Sequence, residues 1–342
     1  MKIKIIGSGS AGNHISYAFR NFSKSITMTD KDLKSLRNSK KEIYLKRYKV
    51  WNKNIIQKIE DNDNDNYDLI IVSSPPKTHL KLINKNIKNS NLFLIEKPIC
   101  EPDIKTIKKF EKIINTHKSK VFLCGYNHRL FPSTQKVLKI LKKNKLQQNI
   151  KKIEVNFKEN TSGFLKAHKW FKSLADSYLS KTKVGGGSLC EHSHAINLGQ
   201  LFLNDKIDQL KLIKSKVKYI KNAEENYDYD SKIELENKGK FIQINQNFTT
   251  LPVEKNVKIF GDSFFIELIY NYEKSNDQIK FFSKKFNKIK TFNFKKKRSD
   301  DFFYEAEFLF KLYNGKINNE ILCAKSGIKT MKIVVKALKK SN

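Results

Sequence analysis

Arginine is scarce in a strongly basic chain. Of 68 basic residues in 342, only Arg20, Arg37, Arg47, Arg129 and Arg298 are arginine; the other 63 are lysine. Against 34 acidic residues they leave a net charge of +34. Bidentate reading of bases and phosphates favours arginine, so the surplus alone does not indicate a nucleic-acid partner. Lysine runs along the whole chain, and the runs Lys295–Arg298 and Lys339–Lys340 are short. Lys, Asn, Ile and Phe are all abundant and share A/T-rich codons, which reads as the imprint of a low-GC genome. The expectation is no nucleic-acid partner.

Cysteine is also sparse. Cys100, Cys124, Cys190 and Cys323 lie far apart with no CxxC pair, so they read as reduced thiols of a cytoplasmic protein. No apolar run approaches the ~18 residues of a membrane span, and no membrane partner is expected. Met1–Ile6 alternates Lys and Ile into a glycine turn and lacks the apolar core of a secretion signal. A hydrophobic content of 39% nevertheless excludes wholesale disorder. The length suggests about two domains.

The pattern changes near residue 125. Before it, the apolar runs Lys2–Ile6, Ser25–Thr29, Asp68–Val72, Leu92–Ile95 and Val121–Cys124 alternate with helical stretches, notably Gly12–Phe22, Lys77–Lys88 and Asp103–Thr116. Such alternation predicts a doubly wound parallel sheet with helices on both faces. The polar run Asp61–Asn66 reads as a loop. After residue 125 the chain shows an alternating strand around Ile153–Phe157, a helical region near Gly187–Phe202, and five or six strand-like runs from about Gln209 to Phe294. These predict a mostly antiparallel sheet, closed by helices over Asp301–Tyr313 and Ser326–Lys339. The expected domains are 1–125 and 126–342, the last helix packing back on the first domain.

Gly7-Ser8-Gly9-Ser10-Ala11-Gly12 is GxGxxG between a strand and a helix. Its glycines permit a tight turn, close approach of a pyrophosphate and close helix–strand packing. The helix N-terminus adds N–H groups and a favourable dipole. Asp30 ends the second strand, where a carboxylate binds both ribose hydroxyls of NAD and repels the 2′-phosphate of NADP. The alternative for Asp30 is a helix cap, and Lys31 beside it keeps NADP open. Ser73-Ser74-Pro75-Pro76 leaves the carboxyl edge of the sheet, suited to the wall of a ribose–nicotinamide site. Glu96-Lys97-Pro98 follows another strand at that edge, placing Lys97 towards a cleft. Downstream lie Gly125-Tyr126-Asn127-His128-Arg129 and Gly185-Gly186-Gly187-Ser188-Leu189-Cys190-Glu191-His192-Ser193-His194-Ala195-Ile196-Asn197.

With His79 after the Ser-Pro-Pro turn, and the closing helices Tyr304…Glu307…Phe308 and Gly327–Ala337, this ordered set resembles the glucose–fructose oxidoreductase / inositol dehydrogenase / rhizopine catabolism family. The segment Ser177–Lys183 and the spacing from triple glycine to His resemble its branch found with sialic- and legionaminic-type sugars and surface polysaccharides. The resemblance implies a Rossmann domain, then an α/β domain with an open, mostly antiparallel sheet. It implies NAD(P)-dependent hydride transfer on a sugar, nucleotide sugar or polyol, in a homodimer or homotetramer joined through that sheet. Gly7–Gly12, Asp30, Ser73, Ser74, Pro75, His79, Glu96 and Lys97 would hold the cofactor.

His194 is the candidate acid/base, because imidazole titrates near neutral pH. By the resemblance Lys97 orients the reacting oxygen. On one continuous helix Glu191, His194 and Asn197 would share a face, while His192 would point elsewhere, so no metal is expected. Asn127 and Arg129 are expected to line the substrate cleft, Arg129 binding an anionic group or pairing with an acid. Lys183 is expected to reach the substrate, and Trp170 with Phe171 forms either a sugar-stacking wall or local core. The family usually has Asp where Asn197 stands. That departure motivates the competing reading of a non-catalytic sugar or cofactor sensor.

Overall fold

The computed structural model describes residues 1–60, 65–168, 170–203, 210–272, 276–285, 287–297 and 299–341. Most of the expected 61–66 loop, Arg298 and Gln209 lie outside these residues. The chain divides into two compact units, Met1–Asn127 with Ser299–Ile328, and His128–Arg298 with Lys329–Asn342. The division falls inside the closing helix Ala324–Lys340.

In the first unit β1 (Lys2–Ile6), β2 (Ser25–Asp30), β3 (Ile55–Ile59), β4 (Leu69–Val72), β5 (Leu92–Ile95) and β6 (Val121–Cys124) form one sheet in the order β3-β2-β1-β4-β5-β6. Every neighbouring pair is parallel. β4 and β5 read Leu-Ile-Ile-Val and Leu-Phe-Leu-Ile, buried throughout, because a sheet covered on both faces needs continuous apolar runs. The order reverses between β1 and β4, and ligands of such sheets bind outside the strand ends at that point. Asp32 and Asp103 cap the helices Leu33–Asn38 and Ile104–Thr116, accepting from Ser35 N at 2.7 Å and Thr106 N at 2.8 Å. The helix after the glycine turn runs over Ser10–Ala18 and tightens at Phe19–Asn21. The helix Asp300–Tyr313 belongs to this unit. Phe302 stacks on His14 at 5.0 Å, and Phe310 packs on Phe22 at 5.2 Å.

β1 hides a charge. Lys4 is wholly buried, and its Nζ lies 3.3 Å from Glu60 Oε2 and 3.0 Å from Asn86 Oδ1. Glu60 also accepts from Thr29 Oγ1 at 2.6 Å and meets Lys85 Nζ at 3.5 Å. A buried ammonium persists only when paired in this way.

The second unit carries β7 (Ile150–Lys158), β8 (Lys211–Lys221), β9 (Asn226–Asn237), β10 (Lys240–Asn247), β11 (Glu254–Gly261), β12 (Phe264–Tyr272), β13 (Asn276–Ser283) and β14 (Lys288–Lys295). Their order is β14-β13-β12-β11-β7-β10-β9-β8. β7 and β10 pair in parallel and the other neighbours are antiparallel. The architecture is therefore the expected one, a parallel Rossmann sheet followed by an open, mostly antiparallel sheet.

Alternation decides the faces of this second sheet. Ile153, Val155, Ile242, Ile244, Val257 and Ile259 are buried on one side. There Gly199 of the helix His194–Leu203 approaches so closely that a Cβ would sit 2.8 Å from Ile242 Cγ2. The other side is polar. Lys158 pairs with Glu254 at 2.9 Å, Lys258 with Glu267 at 3.7 Å, and Asn156 bridges Asn245 and Asn256.

Candidate active site

In the first unit the glycine turn is fitted to its neighbours. A Cβ on Gly7 (φ +109°) would lie 2.6 Å from Ser74 N, and one on Gly12 would lie 2.1 Å from Gly7 O. A Cβ on Gly9 would instead project into open space, with nothing within 4 Å. The nine-residue helix Ser10–Ala18 has no side-chain cap and no acidic residue in its first turn. A start without a side-chain cap or a carboxylate suits a phosphate. The donor set and the clear approach over Gly9 fit a dinucleotide.

Asp30 Oδ2 accepts from Ser8 N at 2.8 Å and Ser8 Oγ at 2.6 Å, and its Oδ1 accepts from Lys31 N at 2.8 Å. The helix cap is Asp32, so Asp30 bears on the glycine turn. Ser73 Oγ donates to Gly7 O at 2.9 Å, tying the two strand-end loops together. Ser74 is half-buried and Pro75 exposed. His79 is wholly buried, its Nε2 2.7 Å from Ser74 O and its Nδ1 3.2 Å from Ile99 O. Burial lowers its pKa. His79 braces the Ser-Pro-Pro turn from behind and presents no surface to a ligand.

Glu96 is buried, and its Oε2 accepts from Lys97 N at 3.1 Å. Gly125 leaves room for that carboxylate, since a Cβ there would come within 3.1 Å of it. Lys97 is half-buried, joined to Pro98 by a cis peptide. Asn127 is buried at the end of this segment.

Three residues of this unit bear on the site although no sequence motif includes them. Asn13 Nδ2 lies 2.7 Å from Ser8 O and 2.8 Å from Gly9 O, stiffening the turn. Arg47 Nη1 donates to Ser10 Oγ at 3.0 Å, bringing a guanidinium to the start of the phosphate-facing helix. Its rarity as an arginine was the only available signal. Glu305 is 1% exposed and neither carboxyl oxygen has a hydrogen-bond partner. Burial first, and the charge of Glu96 second, push its carboxyl well above the usual range.

In the second unit the chain through Gly187–Asn197 breaks into two helices, Gly187–Glu191 and His194–Leu203. This corrects the shared-face argument for Glu191, His194 and Asn197. His192 closes the first helix, so the three do not follow one helical period. Glu191 is half-buried. His194 is 9% exposed, its ring centroid 4.3 Å from that of His128 and 6.4 Å from that of Phe157. His192 packs edge-on to Phe248 at 5.3 Å, lies 6.5 Å from Phe157 and lies 3.9 Å from Glu159 Oε1.

Arg129 is fully buried. Its Nε donates to Asn197 Oδ1 and its Nη2 to Asn197 O at 3.2 Å. Asn197 Nδ2 donates to Thr330 Oγ1 at 3.0 Å. Arg129 therefore anchors Asn197. Lys183 is exposed on the turn Thr182–Val184. Trp170 is 37% exposed and edge-on to His168 at 5.0 Å. The local core nearby is Leu174, Leu179, Tyr227 and Phe248, with Phe164 and Tyr178 against it. Phe171 stacks on Phe164 at 6.0 Å and lies 5.8 Å from Trp170. Among the described residues no group of three His, Cys, Asp or Glu is placed to hold a metal ion. Among them, too, no helix is long and apolar enough to cross a membrane.

Residues 1–128 match the model of an oxidoreductase family with an NAD-binding Rossmann fold. No curated protein matches the chain by sequence. Solved structures do. A 3-ketoreductase from Actinomadura kijaniata, in complex with NADP and TDP-benzene, is 12% identical over 99% of this chain and 97% of its own, with a TM-score of 0.74. An aldose–aldose oxidoreductase from Caulobacter crescentus, complexed with glycerol, is 10% identical over 100% and 97%, with a TM-score of 0.76. A UDP-N-acetylglucosamine 3-dehydrogenase from Acidithiobacillus ferrooxidans is 11% identical over 98% and 96%, with a TM-score of 0.69. At such identities the likeness establishes the fold.

Proposed function

We propose that this chain, whose first 128 residues carry the NAD-binding Rossmann domain of that oxidoreductase family, transfers hydride between nicotinamide and a hydroxyl or keto carbon of a sugar or nucleotide sugar. The setting is surface-polysaccharide or acidic-sugar biosynthesis in the cytoplasm, by a homo-oligomer formed through the open sheet. The observation that carries the reading is the glycine turn with Asp30 bonded to Ser8, in a chain that also has a buried, aromatic-walled His194. The substrate class is supported by similar folds in a UDP-N-acetylglucosamine 3-dehydrogenase and in a 3-ketoreductase that holds NADP and TDP-benzene.

Bound NAD(P) supplies the hydride acceptor or donor. The protein's residues do the rest. Gly7–Gly12 and the helix behind them seat the pyrophosphate. The Asp30 carboxylate takes the ribose hydroxyls and favours NAD, while Arg47 adds charge beside Ser10. Ser73, Ser74 and Pro75 wall the nicotinamide end, held by His79. An imidazole nitrogen of His194 takes the hydroxyl proton on oxidation and returns it on reduction. The Lys97 ammonium steadies the alkoxide-like oxygen of the transition state. Glu191, Asn127, Lys183 and Trp170 face the sugar, with Trp170 as a stacking surface.

The test is purified protein with NAD(H) and NADP(H) against a panel of sugars, nucleotide sugars and inositols, followed by absorbance of the reduced nicotinamide. Sugar-dependent absorbance change is expected, and none with any substrate would overturn the enzymatic reading. Asn197 favours a second reading, a sensor that binds cofactor without turnover. Its neutral side chain is held by Arg129 and offers His194 no charge.

A further inference from the structure

The triple glycine is built around a carboxylate that local sequence does not reveal. Asp228 of β9 is fully buried. Its Oδ1 accepts from Thr182 Oγ1 at 2.8 Å, and its Oδ2 accepts from Ser188 Oγ at 2.9 Å and Leu189 N at 2.7 Å. Its own backbone N–H donates back to Thr182 Oγ1 at 3.0 Å. Gly187 (φ +80°) makes the approach possible, since a Cβ there would fall 1.9 Å from Asp228 Oδ1. Gly186 is equally constrained, its Cβ falling 2.2 Å from Tyr178 O.

A polar chain continues from this point. Ser188 Oγ lies 3.4 Å from Ser231 Oγ, which lies 3.4 Å from Gln246 Oε1. Gln246 Nε2 donates to the carbonyl of His192. Ser188, Ser231, Gln246 and His192 are all buried. The short helix Gly187–Glu191 is thus held at its start by Asp228 and just past its end by Gln246. His194 follows two residues later.

We propose that Asp228 is a positioning residue, which with Gln246 clamps the segment Gly186–His192 and so fixes the imidazole of His194. The proposal rests on the reading of His194 as the acid/base group. A buried carboxylate is expensive to keep, and a five-residue helix is ordinarily capped by a serine or aspartate of its own turn. Here the acceptor comes from the sheet. It ties the orientation of the segment to the rigid body of β9 rather than to a mobile turn. Acid/base catalysis needs that, because a misplacement of about 1 Å can cost about a hundredfold in rate.

The experiment uses full-length Asp228→Asn, Asp228→Ala and Thr182→Val. Melting temperature, cofactor affinity, kcat and KM are measured, with NMR of 15N-labelled histidine to follow His194. Asp228→Asn keeps an acceptor for Ser188 and Leu189, and its amide can donate to Thr182 Oγ1. Asp228→Ala is expected to lower kcat about a hundredfold, with KM and cofactor affinity within about twofold. The His194 resonances should move. Asp228→Asn should recover most of the rate, and Thr182→Val should shift His194 in the same direction by less. If Asp228→Ala does not fold, the other two variants decide. Folded variants with unchanged kcat and unchanged His194 resonances would overturn the clamp, as would a loss confined to cofactor affinity. Absence of turnover in the wild type would defeat the functional reading alone. The His194 resonances then judge the clamp by themselves, and no movement in any variant overturns it.

Discussion

Burial raises the Asp228 carboxyl from its ordinary 3.8 to about 6, outweighing the hydrogen bonds from Leu189, Thr182 and Ser188. Between those two values the folded protein keeps a proton that the unfolded chain has released. Folding is therefore favoured by this group at low pH, and that contribution is lost as pH rises from about 4 to about 6. A shift from 3.8 to about 6 corresponds to about 3 kcal/mol, at ~1.4 kcal/mol per pKa unit. Other carboxylates titrate in the same range, so the quantity to measure is a difference. Urea unfolding of wild type and Asp228→Asn is compared from pH 4 to pH 7.5. The stability of the wild type relative to the variant should fall by about 2.5 kcal/mol across that window, the remainder lying below pH 4. A flat difference would refute the assignment, and a difference that rises with pH would mean that Asp228 is stabilised as the anion.

Four further outcomes follow from the geometry. Lys4→Ala removes the buried ammonium from Glu60, leaving Lys85 as the cation beside that carboxylate, and should cost about 3 kcal/mol in chemical denaturation, whereas a loss below about 1 kcal/mol would mean that Lys4 is not buried in solution. Asn197→Asp places a carboxylate against the buried Arg129 guanidinium and one helical turn from His194. Its effect should appear as a rise in the pH midpoint of the kcat profile, and an unchanged profile would show that position 197 does not sense His194. Asp30→Ser should move cofactor preference towards NADPH by about tenfold or more, read as a ratio of dissociation constants, because the carboxylate no longer repels a 2′-phosphate. Arg47→Ala should weaken both cofactors by about the 0.5–2 kcal/mol of a partly exposed phosphate contact, and no change would remove Arg47 from the site.

Much of the first unit was legible in the sequence because its strands are buried on both faces. β4, β5 and β6 are short, purely apolar runs between polar helices, and the glycine turn is a local pattern with local consequences. β3 escaped notice for the opposite reason. It is an edge strand whose Ile56, Lys58 and Ile59 show no run or alternation. The second sheet was legible from alternation, although its seven strands after β7 exceed the five or six that the runs suggested. Helical spacing failed at Glu191–Asn197, because nothing in Cys190-Glu191-His192-Ser193 announces that the helix stops and restarts. The residues that local reading missed share one property. Lys4 with Glu60 and Asp228 with Ser188 are polar partners separated widely along the chain, and Glu305 is just as far in sequence from the Glu96 whose charge bears on it. Only the fold brings them together, and no local period encodes such pairs. Arg129 shows the same limit from another side. Its scarcity drew attention to it, yet its partner, Asn197, emerged only from the packing.

The central claim is that this protein binds a nicotinamide dinucleotide on its glycine turn and uses Lys97 and His194 for chemistry. The most direct measurement is calorimetric titration of NADH and NADPH into wild type, Lys97→Ala and His194→Ala, with turnover of the same three proteins measured in parallel. The account predicts saturable binding to all three, with affinities within about threefold and turnover surviving only in the wild type. Absence of binding to the wild type, or turnover that survives both substitutions, would contradict it.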